Sequence, residues 1–158
     1  MARYNAWQND GLRKLLPQMD VADLTQDRGA FFGSIMKTVN HLLWGDQLWL
    51  SRFGYPISVL KTADRGVDVT KTASEWAAER FRTDAAIKLW SLGLKAVDLT
   101  GDLVWTNTLG VRNSEKTWVC ATHFFNHQTH HRGQVHAMLT AAGQTLPDTD
   151  LSYLPQEQ

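Results

Sequence analysis

A chain of 158 residues, 43% of them hydrophobic, can bury a substantial core and has the composition of an ordinary globular domain. Sixteen basic and sixteen acidic residues cancel, so the basic footprint of a nucleic-acid binder, or of attachment to an anionic membrane surface, is missing. No apolar run approaches the roughly 20 residues of a membrane span, the start Met1-Ala-Arg-Tyr4 lacks a hydrophobic secretory segment, and the lone Cys120 excludes an intramolecular disulfide; a cytoplasmic protein is expected.

In chain order, apolar spacing at Trp7, Leu12, Leu15 and Leu16 predicts a first helix over Asn5–Leu16, closed by Pro17. Asp20–Arg28 reads as a connection with one helical turn. A longer helix is expected over Gly29–Phe53, its broad apolar side carrying Phe31, Phe32, Ile35, Met36, Val39, Leu42, Leu43, Leu48 and Leu50, with Gly54 and Pro56 ending it. Gly54–Thr72 is polar and reads as a loop. Thr72 or Ser74 would cap a third helix, Ala73–Val97, although Ser74 with Ala77 is no full capping box. From Asp102 to Trp118, Leu103, Val104, Trp105, Thr106, Thr108 and Leu109 precede Gly110, as in a short β-hairpin or an ordered crossover loop. The last helix spans Thr117–Ala142 and stops at Gly143, with Pro147 beyond.

Four long helices predict an all-α fold, a four-helix bundle with a long crossover before the last helix. One domain is expected over residues 1–154, with a disordered tail at 155–158. Trp7, Trp44, Trp49, Trp76, Trp90 and Trp118 lie in or beside these helices and read as core packing.

Five of the six histidines fall between His123 and His136. At about 100° per helical residue, with His127 at zero, His123 points to about −40°, His131 to about +40° and His130 to about −60°. His136 lies on the opposite side and should face solvent. Two imidazoles at i and i+4 can grip one divalent ion, but a catalytic site usually needs three protein ligands and an open position. The remaining histidine, His41, lies in the second long helix. Sites in helical bundles draw ligands from facing helices, so His41, His127 and His131 make a candidate three-histidine metal site.

Thr38-Val-Asn-His41-Leu-Leu-Trp-Gly-Asp46-Gln-Leu-Trp49, followed by Phe125-Asn-His127-Gln-Thr-His-His131-Arg-Gly-Gln134, resembles the DinB/YfiT-like family. Arg3-Tyr4-Asn5-Ala-Trp7-Gln-Asn9 is similar to that family's first helix. The resemblance implies a four-helix bundle with a divalent metal, commonly zinc or nickel, held at His41, His127 and His131, and a homodimer. "Damage-inducible" in such families describes expression rather than mechanism. Related bundles include thiol-dependent S-transferases and a maleylpyruvate isomerase, which implies activation of a low-molecular-weight thiol.

The expected activity is hydrolysis or thiol transfer on a small molecule, through a water or thiol activated by the metal. The competing expectation is a non-catalytic bundle whose ion stabilises the helices or is sensed. His123 is open between proton shuttle, fourth ligand and interhelical packing. His130, at the edge of the arc, should make an outer hydrogen bond. Asn126, Gln128 and Arg132 project off the arc and read as structural or subunit contacts. Asp46, about 140° around its helix from His41, is expected in a salt bridge with Arg52 or Arg132. Cys120 lies too far before His127 to be a primary ligand.

Overall fold

The computed structural model describes residues 1–107 and 109–156. Thr108 of the expected hairpin, and Glu157 and Gln158 of the expected tail, lie outside the described residues. The protein is mostly helical. Helix α1 spans Ala2–Leu15 and runs into a 3-10 turn at Leu16–Gln18, where Pro17 removes a donor. The short α2 is Val21–Thr25, the long α3 Ile35–Arg52, α4 Ala73–Gly93 and α5 Thr117–Ala141. Before α5 comes a two-stranded antiparallel hairpin, β1 (Asp102–Thr106) with β2 (Arg112–Lys116), in register from Asp102 opposite Lys116 to Thr106 opposite Arg112. Helix α1 packs on α4 and α5, and α3 packs on α4 and α5. No helix among the described residues is long and apolar enough to cross a membrane.

Three boundaries differ from expectation by more than a single residue. The first helix starts at Ala2, and the third ends at Gly93, followed by a 3-10 turn at Ala96–Leu99. The second long helix starts at Ile35, not Gly29, because Gly33 adopts a φ of 81° in a tight turn and Ser34 then caps the helix, its Oγ accepting from the Lys37 N–H. Phe31 and Phe32 therefore precede α3 rather than line it. At α4, Thr72 does form a full capping box: its hydroxyl accepts from the Glu75 N–H, and Glu75 accepts from the Thr72 N–H. Pro155, in the expected tail, accepts a hydrogen bond from Arg3 through its carbonyl.

The interior is layered along the helix axes. One apolar cluster holds Leu12 and Leu16 of α1, Ile35, Val39 and Leu43 of α3, Trp76 of α4, and Val135 and Leu139 of α5. A second holds Ala2, Leu50, Ile87, Trp90 and Phe124. Between them, on every long helix, comes a buried polar layer: Asn5 and Asn9, Asp46 and Gln47, Arg80, Thr83 and Asp84, and Gln128 and Arg132. Arg80 is its hub, donating to Asp46 at 2.6 Å and pairing with Asp84 at 2.9 Å. Asn9 donates to Asp84 at 2.9 Å, and Arg132 donates to Asn5 and Gln128. The salt bridge expected of Asp46 thus exists with a different partner, Arg80, because α4 and not the end of α3 faces it. Burial pushes the Asp46 carboxyl up to about 7, against the pull of Arg80 and with Asp84 adding to the rise.

Of the tryptophans expected in the core, Trp76 and Trp90 are buried, and the Trp76 indole N–H donates to the Val39 carbonyl at 2.9 Å. Trp118 is 57% exposed, and Trp7, Trp44 and Trp49 are half-buried, each lying on a helix flank.

Candidate metal centre

The loop between α3 and α4 is shaped to serve one histidine. Gly66 has a φ of 78°, and a Cβ there would fall 2.5 Å from the Cβ of Trp44, so only glycine lets this turn lie against α3. Asn40 holds the same turn by donating to the Val67 and Thr70 carbonyls. Arg65, itself at a φ of 43°, is left with its carbonyl 2.6 Å from His41 Nδ1. A carbonyl can only accept, so Nδ1 carries the proton and the His41 Nε2 lone pair is free.

His131 on α5 is arranged in the same way: its Nδ1 donates to Gln134 Oε1 at 2.7 Å, leaving Nε2 free. His127, one turn earlier, brings its Nε2 to 3.0 Å from the His41 Nε2. One nitrogen from each of His41, His127 and His131 lies within 4.8 Å of the other two. The donor set suits a divalent transition ion: three imidazoles converge, and two have their opposite nitrogens engaged by acceptors. Among the described residues no fourth histidine, cysteine or carboxylate joins the group. Phe32, displaced from the expected helix, stacks beside the cluster with ring centres 4.2 Å from His41 and 5.3 Å from His131. Sequence periodicity placed Phe32 in a helix, and only the glycine after it signalled the turn.

Burial lowers the proton affinity of all three rings, and His127, further opposed by His131 and His41, falls to about 3. Neutral imidazole is the form that ligates. A histidine with a depressed folded-state value contributes stability above its unfolded value near 6.5 and loses it as pH falls. In chelated protein, the stability advantage of wild type over His127→Gln will therefore shrink from pH 6.5 downward. Urea unfolding at a series of pH values measures this, and an advantage that grows on acidification would contradict it.

Gly45 makes the room His127 needs, since a Cβ at that position would lie 3.1 Å from His127 Cε1. Gly45→Ala gives two opposed expectations. Helix propensity should raise the stability of chelated protein by about 0.5–1 kcal/mol, while the displaced ring should weaken zinc binding about 10-fold. Thermal melts and competition with a zinc-binding dye separate the two effects; unchanged zinc affinity would refute the packing account.

The other candidates divide. His123 is exposed, 5.7 Å by ring centres from His127 and 5.2 Å from Trp49, outside the three-nitrogen cluster. Its proton affinity is lowered by burial and then by Arg52. His130 is tied to His131 through Gln134, which lies 3.3 Å from His130 Nε2. His136 is half-buried rather than exposed, in a groove beside Trp7 and Arg132, because α1 covers that side of α5. Asn126 is exposed, whereas Gln128 and Arg132 belong to the buried polar layer. Cys120 is a buried free thiol apart from the cluster, its proton affinity raised by burial.

Arg52 is a residue that helical projection from the histidines did not reach. It lies in the last turn of α3 beside Trp49 and Trp105, where burial lowers its proton affinity. The signal was an arginine three residues after a tryptophan, with a further tryptophan in the hairpin.

No curated protein matches the sequence. A crystal structure of a DinB-like protein from Bacillus cereus is similar to this one with a TM-score of 0.65, over 90% of each chain and at 20% sequence identity, a likeness of fold. The DinB family pattern matches residues 1–158, from the start of α1 past the histidine cluster. The chain belongs to the DinB family.

Proposed function

We propose that this protein is a metal-dependent enzyme acting on a small molecule, with His41, His127 and His131 holding one divalent transition ion, zinc or nickel, between two helices of a four-helix bundle. The observation that carries this reading is the convergence of three ring nitrogens within 4.8 Å of one another. Such an ion, when bound, supplies Lewis acidity that lets a water or a low-molecular-weight thiol react as a nucleophile at neutral pH. The Arg65 carbonyl and Gln134 orient two of the ligand rings. Phe32 supplies an apolar border to the cluster, its ring packed beside those of His41 and His131. His123, neutral and one turn from His127, stands where it can accept the proton the nucleophile gives up.

The three-residue donor set favours chemistry, since structural zinc sites are closed by four protein ligands. The reaction is hydrolysis or thiol transfer. The protein would work in the cytoplasm as a homodimer, a state compatible with its zero net charge, and without nucleic-acid or membrane partners. The test is to assay zinc- and nickel-loaded protein against esters and against thiols paired with an electrophile. Turnover that disappears in His127→Ala and falls in His123→Gln at unchanged metal content supports the reading. Absence of turnover, with X-ray absorption finding His123 as a fourth ligand, would replace it with a structural or sensing ion.

A further inference from the structure

Arg52 has its Cζ 4.6 Å from the ring centre of Trp49 and 5.4 Å from that of Trp105 on β1, and the two indoles are 5.5 Å apart. Among the described residues no carboxylate pairs with this guanidinium, and its Nε is buried without a hydrogen-bond partner. Arg80 shares the orphan Nε, but its guanidinium is met by Asp46 and Asp84, so the missing carboxylate is what distinguishes Arg52. The groups that Arg52 does face electrostatically are Cys120 and His123, neither of them a carboxylate. A cation in the last turn of a helix is favoured by the helix dipole, but an extended, hydrated arginine would satisfy that. Packing the half-buried guanidinium against two indoles removes part of its hydration, which the cation–π contacts offset only in part.

The position links Arg52 to the histidine cluster. From Trp49 a chain of ring contacts runs to His123 at 5.2 Å and from His123 to His127 at 5.7 Å, between ring centres. Gly45, which touches His127, precedes Arg52 on α3 by about 10 Å of helical rise. We infer that Arg52, clamped by Trp49 and Trp105, anchors a carboxylate of the small molecule that reacts at the histidine cluster. This inference rests on the reading of the histidine cluster as a metal-dependent site. The guanidinium fork matches a carboxylate bidentately, and one arginine neutralises a monoanion, whereas a phosphate dianion would retain an uncompensated charge. The indole faces suit an apolar spacer between that carboxylate and the reacting atom. The hairpin, by supplying Trp105, becomes part of the binding site.

The experiment compares 6-mercaptohexanoate with 6-mercaptohexan-1-ol, followed by tryptophan fluorescence and calorimetry on zinc-loaded protein. Wild type should bind the carboxylate about 10-fold more tightly than the alcohol, the weight of a charge-assisted hydrogen-bonded pair. Arg52→Gln should bind the two alike at unchanged zinc content, and Arg52→Lys should keep only part of the preference. Circular dichroism checks that both variants keep wild-type helicity, so a merely structural arginine would move stability without moving the preference. Equal binding of the two probes by wild type, a preference surviving in Arg52→Gln, or no binding of either overturns the inference. Failure of the metal reading is distinguishable: each probe would then keep its affinity when zinc is removed, while a preference for the carboxylate that is lost in Arg52→Gln would still uphold the carboxylate anchor.

Discussion

His127→Ala and His131→Ala proteins, purified after growth with added zinc, will carry almost no divalent metal by elemental analysis, while His136→Ala will carry the wild-type amount. The rings at 127 and 131 each contribute a nitrogen to the cluster, together with His41. Loss of an outer hydrogen-bond partner alone costs a metal site about 10–100-fold in affinity, and removing a ligand should cost more. His136 sits in the groove beside α1 on the other flank of α5, so its truncation leaves the cluster intact. His41→Ala should behave like the two α5 variants although it lies on a different helix, and this cross-helix result separates a shared ion from a local grip by α5 alone. Equal metal in all four proteins would refute the assignment.

The largest effect on stability should come from the buried polar layer. Arg80→Met will lower unfolding stability by about 3–5 kcal/mol, because it leaves Asp46 and Asp84 buried without their cation. Arg82→Ala, two residues along α4, removes an exposed pair with Glu79 and should cost at most about 1 kcal/mol. Urea denaturation of the two variants, made in parallel, tests the contrast. Losses of similar, small size would mean that the interior pair does not constrain the helices. The layer also sets register. Sliding one helix by a turn would move Arg80 away from Asp46, or Arg132 away from Asn5, into apolar surroundings where their polar atoms lose partners.

The long helices and the histidine cluster were legible because each is written in a short period. The i, i+4 spacing of His127 and His131 puts them on one face wherever α5 lies, and His41 was the remaining histidine on another long helix. The polar layer was not recognised as a layer: Gln128 and Arg132 read as structural or subunit contacts, but a single helix does not reveal which residues on other helices they meet. A clue was present in the pairs Asn5 and Asn9, Arg80 and Asp84, and Gln128 and Arg132, each four residues apart on a separate helix. Only the packing of α1, α4 and α5 shows that these pairs point at one another. Phe32 was misplaced for a local reason, since apolar spacing continued through Gly33 while the backbone did not. Asp46 found Arg80 because interhelical partners depend on crossing geometry, which one helix's projection does not contain.

Connections between helices are ordinarily where a chain absorbs extra residues at little cost. The stretch from Gly54 to Thr72 is an exception, being stitched to α3 at successive heights: the Leu60 N–H to Gln47, the Arg65 carbonyl to His41, and Val67 and Thr70 to Asn40. Lengthening it by even one residue near Gly66 would shift the Arg65 carbonyl and free the His41 ring to rotate. Anyone splicing a reporter or a tag into this scaffold should choose the turn at Gly110, which takes part in none of these hydrogen bonds.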